Sequence, residues 1–323
     1  MKIGIRTLKT AVGAGLAIWL AQLLHLEFYV NAGILAILSI ETTKKRSLHV
    51  ATTRFIASIL GLFLSGFAFE VLGYHIIVIS LFILFFIPLL IYFNIQSGFV
   101  TSSVIILHVF VLGEFNTAVI MNELLLIIVG IGVALLINSY MPELKNDLET
   151  YRSKIEEKIK KILYEYATYI EKGDQGWTGS ELLELEQFIN EAKSIAIRNV
   201  ENHLLRKRDK FYSYFEMRER HYEILERMLP IVSNLQQEVP QRKLFADFLY
   251  QLSESVHWGN TAETQLHKLH EKRMEINQLE LPQTRAEFET RARLFHLINE
   301  IQLYLEIKNQ LKNDLIKTDT NEE

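Results

Sequence analysis

Hydrophobic positions fall into two regimes along this chain. Between Thr10 and Tyr140 they form near-continuous runs: Thr10–Leu26, Phe28–Ile40, Phe55–Leu72, Tyr74–Tyr92, Gly98–Leu112 and Leu124–Tyr140. Unbroken apolar runs of this kind predict helices apolar on every side. Several hold 15 to 18 residues, somewhat short of the roughly 20 that comfortably cross a ~30 Å hydrocarbon core. The second has 13 and is either a short span extended by polar residues or a re-entrant helix.

From Leu144 onward the period changes. Leu148, Tyr151, Ile155, Ile159, Ile162, Tyr166 and Ile170 step by three or four residues, one apolar stripe on an otherwise charged helix. Gly173–Gly179 reads as a turn, with Thr178 and Glu181 placed for a capping box. A second helix follows through Leu182, Leu185, Ile189, Ala192 and Ile195, and a third through Phe211, Phe215, Tyr222, Leu225 and Leu229 with a kink at Pro230. Pro240 suits a first helical turn and opens a stripe at Leu244, Phe248, Leu252 and Val256. Pro282 breaks the chain, and Thr284 with Glu287 caps a last helix through Phe288, Phe295, Ile298, Leu305 and Leu311. The fold class predicted is all-α: a polytopic transmembrane bundle of about six spans (residues 1–143), a soluble cytoplasmic bundle of about five helices (144–317), and a disordered tail (318–323).

Charge sharpens this division. Residues 1–143 carry 7 Lys and Arg and 6 Asp and Glu, whereas residues 144–323 carry 27 and 32. The first segment has too little polar surface for water, and the second too much charge for lipid. In the first segment Glu27, Glu41, Glu70, Glu114, Glu123 and Glu143 read as lying at or between the ends of the spans, as do Lys44, Lys45, Arg46 and Arg54. Mid-span charge, costing about 2.5–3.5 kcal/mol, is thereby avoided. Lys2, Arg6 and Lys9, with the four cations of the 41–54 loop, mark the cytoplasmic side; the turns at Glu27, Glu70 and Glu114 carry none. Six spans then leave both termini in the cytoplasm of a multi-pass cell-membrane protein. The N-terminal run lacks a clear cleavage site and reads as a retained span.

Candidate chemistry is sparse. With no cysteine, thiolate catalysis and cysteine-ligated metals are excluded. His267, His270 and Glu271 lack metalloprotease spacing and read as a solvated helix face. Arg206–Lys210 is a brief basic run in a net-acidic segment, so no nucleic-acid partner is implied. Nothing indicates an enzyme, a metal or a cofactor. Small residues at a spacing of four, Ala57, Gly61 and Ser65, then Gly130 and Ala134, suit close helix packing in lipid. Polar residues near the spans are candidates for a substrate pathway: Asn31, Glu41, Arg54, Gln96 and His108. Interhelical hydrogen bonding is the simpler alternative for them.

The stretch Phe28-Tyr29-Val30-Asn31-Ala32, the apolar run to Ile40, Glu41-Thr42-Thr43, a basic loop and then Arg54 through Gly61 resembles the signature of the aromatic acid exporter family. That family is related to fusaric acid resistance proteins and distantly to plant malate channels. Ala57 stands where the family pattern has its first glycine, and the usual tryptophan near Tyr29 is absent. Tyr214-Phe215-Glu216-Met217-Arg218 is similar to the C-terminal domain of one bacterial branch. The resemblance implies a plasma-membrane exporter of aromatic carboxylic acids, its partners being the bilayer and a small organic anion, with homo-oligomerisation left open. Arg54 would attract the carboxylate near the cytoplasmic mouth and Asn31 would line the path. With no ATP-binding motif and no carboxylate read in mid-span, facilitated movement or weakly coupled antiport is expected. The alternative is a membrane-anchored scaffold or sensor whose soluble bundle binds a partner.

Overall fold

The computed structural model describes residues 4–203, 210–235, 237–259 and 262–319. Every regular element among them is helical. The chain divides into two compact units, Met1–Pro142 with Glu201–Leu205, and Glu143–Val200 with Arg206–Glu323.

The first unit contains α1 (Ile5–Leu23), α2 (Val30–Ser39), α3 (Lys44–Leu72), α4 (Ile76–Tyr92), a 3-10 turn at Gln96–Gly98, α5 (Phe99–Leu112) and α6 (Thr117–Ser139). Among the described residues, α3 and α6 are long and apolar enough to cross a membrane. Helix α2 has 10 residues, about 15 Å at 1.5 Å per residue, half of a ~30 Å core. Packing is inverted relative to a soluble protein. Ala17, Ala21, Ala32, Ala36, Ser58, Ser65, Thr101 and Ser102 are inside, while Phe67 and Phe85 are 70% and 72% exposed. Small inward residues let helices approach, and large apolar residues belong against lipid. Helix α3 lies along α5, and α2 lies between α1 and α6. A Cβ on Gly61 would sit 3.1 Å from that of Ser102, and one on Gly130 would sit 2.6 Å from that of Leu35. Ala57, Ser65 and Ala134 are buried beside them.

Two boundaries differ from expectation. The basic segment 44–54 is no loop but the first turns of α3, because the Thr43 hydroxyl caps the helix by accepting from the Arg46 N–H. Arg54 therefore lies well inside α3 and not at its start. Helix α6 begins at Thr117, where the Asn116 side chain accepts from the Val119 N–H at 3.0 Å. Glu123 is thus within that helix and fully buried.

The second unit holds six helices among the described residues: α7 (Lys145–Lys172), α8 (Ser180–Asn202), α9 (Lys210–Ser233), α10 (Pro240–Glu254), α11 (Ala262–Asn277) and α12 (Arg285–Asp319). The additional helix is α11, whose few apolar positions give a weak stripe. Its His267 forms an exposed i,i+4 pair with Glu271 at 3.4 Å. Helix α7 packs on α9 and α10, and α12 on α9 and α11. Leu148, Ile155, Ile159, Ile162, Tyr166 and Ile170 join Phe215, Phe245, Phe248, Leu297 and Ile301 in one core. Pro240 occupies the first turn of α10. The box opening α12 is present, with the Glu287 N–H donating to Thr284 Oγ1 at 3.2 Å and the Gln283 N–H to the Glu287 carboxylate at 2.9 Å. Glu181 instead accepts from the Trp177 indole at 2.7 Å and pairs with Lys161, so its carboxylate is engaged away from Thr178. Helix α12 continues through Thr318 to Asp319. Residues 320–323 and 206–209, within the expected tail and the basic run, lie outside the described residues.

Candidate functional site

Two polar sites sit at opposite ends of α5. At its start the 3-10 turn brings Gly98 against α3. A Cβ there would be 2.4 Å from that of Ala57, 3.0 Å from the Thr53 carbonyl oxygen and 3.2 Å from the Arg54 Cα. Gln96 is exposed in this turn, and Arg54 is partly buried. The Nε and Nη1 of Arg54 are shut off from solvent with no hydrogen-bond partner. A guanidinium in that condition has hydrogen-bond donors left over for an anion. Glu41, just before α3, pairs with Arg46 at 3.1 Å.

At the other end of α5, ten residues or about 15 Å along its axis, Asn31 and His108 meet. The Asn31 amide nitrogen contacts His108 Nε2, and His108 Nδ1 lies 2.9 Å from Glu123 Oε2. His108 is 6% exposed and Glu123 0%. Because the amide donates to Nε2, the ring hydrogen belongs on Nδ1, where it donates to the carboxylate. Phe28 stacks on the imidazole, with centroids 4.3 Å apart. Its backbone is left-handed (φ 54°), as is that of His25 (φ 55°), an unfavourable conformation for a bulky side chain that tertiary contacts must hold. Asn122 supplies such contacts. Its Oδ1 accepts from the Glu27 N–H at 2.8 Å, and its Nδ2 reaches the Glu27 carbonyl at 3.3 Å and Glu123 Oε1 at 3.1 Å.

The structure thus brings Asn31 and His108 together, places Arg54 beside the turn that carries Gln96, and keeps Glu41 with Arg46. Sequence reasoning put Glu123 at a span boundary, named Phe28 only within the family stretch, and passed over Asn122. Reading Asn116 as a helix cap would have moved Glu123 from a boundary into α6.

A third polar cluster lies in the second unit, around the motif residues Tyr214 and Arg218. Arg218 is fully buried. It donates from Nε to the Tyr214 hydroxyl at 2.9 Å and from Nη1 to the Tyr304 hydroxyl at 3.3 Å, and it lies 3.7 Å from Glu156. Burial, then the charges of Arg218 and Lys308, holds His221 well below the usual histidine range. Burial, then Arg218, lowers Lys308 to about 7. A buried charge with one distant counter-ion is a costly core element that polar neighbours must offset. No group of three or more metal-ligating side chains occurs among the described residues.

Residues 1–141 match the aromatic acid exporter family member 1 family, and residues 145–309 match the family described as putative aromatic acid exporter C-terminal domain. The chain is 48% identical over 311 residues to the uncharacterized protein YqjA of Bacillus subtilis (strain 168), covering 96% of this chain and 97% of that one. The crystal structure of a putative membrane protein from Clostridium difficile 630 is 24% identical, covering 51% of this chain and 98% of its own, with a TM-score of 0.45. The chain therefore belongs to the aromatic acid exporter family.

Proposed function

We propose that this membrane protein carries small organic anions, aromatic carboxylates foremost, through the helices of its first unit. In this reading α1 to α6 all cross the plasma membrane, with both termini in the cytoplasm and residues 144–317 forming a cytoplasmic domain that regulates or assembles the transporter. The basic residues Arg6, Lys9, Lys44, Lys45 and Arg46 then mark the inner face, Arg54 stands near the inner mouth, and the Asn31–His108–Glu123 cluster stands near the outer one.

The observation that carries the reading is Arg54. A guanidinium inside an apolar bundle is expensive, and here two of its nitrogens lack a hydrogen-bond partner. A guanidinium that receives a passing carboxylate needs donors to spare, and Arg54 has them. Each charge-assisted bond it forms is worth about 1.5–3 kcal/mol, enough to select an anion without trapping it. The family to which the chain belongs supports transport, and the name of that family supports the substrate class. Six helices also exceed what a scaffold or sensor needs as an anchor. The test is flux of a labelled aromatic acid into vesicles holding the purified full-length protein, against empty vesicles. Flux no faster than in empty vesicles, across a panel of aromatic acids, would refute the reading.

A further inference from the structure

Glu123 and His108 are the buried titratable side chains of the first unit among the described residues. We propose that they bind one proton as a unit, and that this proton admits the anion at their end of the bundle. The inference rests on the transport reading above.

The hydrogen bonds define the unloaded state. Asn31 donates to Nε2 and Nδ1–H donates to Glu123, so the ring is neutral. Both Glu123 oxygens accept, one from His108 and one from Asn122, so we take the carboxylate as ionised and the pair as carrying one negative charge. That charge repels an approaching organic anion, and apolar surroundings screen it poorly. One added proton cancels it. The two groups are in contact, so the proton belongs to the pair and not to either residue.

Loading also disturbs the structure around the pair. A proton on Nε2 sets two donors face to face and turns the Asn31 amide, at the start of α2. A proton on Glu123 weakens its acceptance from Asn122, the residue that holds both the N–H and the carbonyl of Glu27. Either event slackens the α1–α2 connection, whose Phe28 covers His108 in a strained backbone conformation. One protonation therefore removes a repulsive charge and loosens the cover over it.

Other titratable groups at this end face solvent or one another. His25, Glu27 and Tyr29 of the α1–α2 connection are exposed, as are His75 before α4 and Glu114 in the α5–α6 turn. Glu70, exposed at the end of α3, accepts from the Tyr74 hydroxyl at 2.8 Å and the Phe115 N–H at 3.0 Å. None is hydrogen-bonded to the pair.

The test uses purified full-length protein in proteoliposomes, with membrane potential clamped at zero and internal pH fixed. The probe is labelled 4-hydroxybenzoate, whose carboxyl is ionised throughout the range used. Lowering the pH facing the pair from 8 to 6 is expected to raise wild-type flux severalfold. Glu123→Gln, a neutral copy of the loaded carboxyl, is expected to give high flux at both values. His108→Gln, which keeps a donor but removes the base, is expected to change the pH response. The proposal is overturned by a full wild-type pH response in Glu123→Gln, or by absent flux in a folded Glu123→Gln protein. Should Glu123→Gln not fold, an unchanged response in His108→Gln overturns it. Wild-type flux that ignores pH defeats the proton site and leaves transport standing, whereas wild-type protein without flux at any pH defeats both.

Discussion

Gly98→Ala adds one methyl group at the tightest contact between the 3-10 turn and α3. The backbone there (φ −85°, ψ −5°) suits alanine, so any effect is steric. The new carbon would lie 2.4 Å from the Ala57 Cβ, against about 3.5–4.0 Å for carbons in contact, so the two elements must part by roughly 1 Å. Its other neighbours, the Thr53 carbonyl oxygen at 3.0 Å and the Arg54 Cα at 3.2 Å, are backbone and cannot rotate aside. Overpacking of this kind costs about 1–3 kcal/mol, and the stiffer unfolded chain returns about 0.4–1. The net expectation is a destabilisation of ~1–2 kcal/mol, with Arg54 moved relative to the turn that carries Gln96. Thermal melting in detergent should show a lower midpoint, and aromatic-acid flux should fall more than tenfold, since misplacing a binding group by ~1 Å can cost about 100-fold. Ala57→Gly in the same chain should recover part of both losses. A Gly98→Ala protein with wild-type midpoint and flux would refute the claimed contact.

Two further outcomes are expected. Lys308 has its pKa lowered to about 7 by burial and then by Arg218, against ~10.4 unfolded, so between those values the unfolded chain binds more protons and stability rises with pH; melting of the full-length protein at pH 7, 8 and 9 should show a rising midpoint that flattens in Lys308→Met, and a flat wild-type profile would contradict the burial. Reporters inserted within Lys44–Arg46 and fused after Tyr140 should both register cytoplasm, whereas a periplasmic signal from the later fusion would mean an odd number of spans, with α2, about 15 Å long, the first suspect.

How much of this was legible depended on whether the information was local. The stripe from Leu148 to Ile170 repeats every three or four residues, and its aliphatic members are buried as that period requires. Pro240 and the Thr284–Glu287 box are local chemistry and mark true helix starts. Charge misled in the first unit. Lys44, Lys45 and Arg46 look like a loop until Thr43 is seen as a cap, and Glu123 looks like a boundary until Asn116 is. Asn31 and His108 each stood out as a polar residue in an apolar stretch. Their contact spans 77 residues of sequence, and nothing local to either announces the other. Arg218 was recognisable as part of a motif, but arginine is rarely buried fully. Only packing against Tyr214, Tyr304 and Glu156 makes it part of a core.

The most direct test of the account is the Arg54→Lys variant. Lysine keeps the positive charge, so a residue that merely holds α3 at the inner face would lose nothing. Arginine's planar fork binds a carboxylate through two nitrogens, which an ammonium cannot reproduce. Losing one bond worth about 1.5–3 kcal/mol should weaken flux tenfold or more. Labelled aromatic-acid flux, measured with protein level and topology checked alongside, is predicted to drop by at least that factor in Arg54→Lys with insertion unchanged. Wild-type flux in the lysine variant would contradict the account.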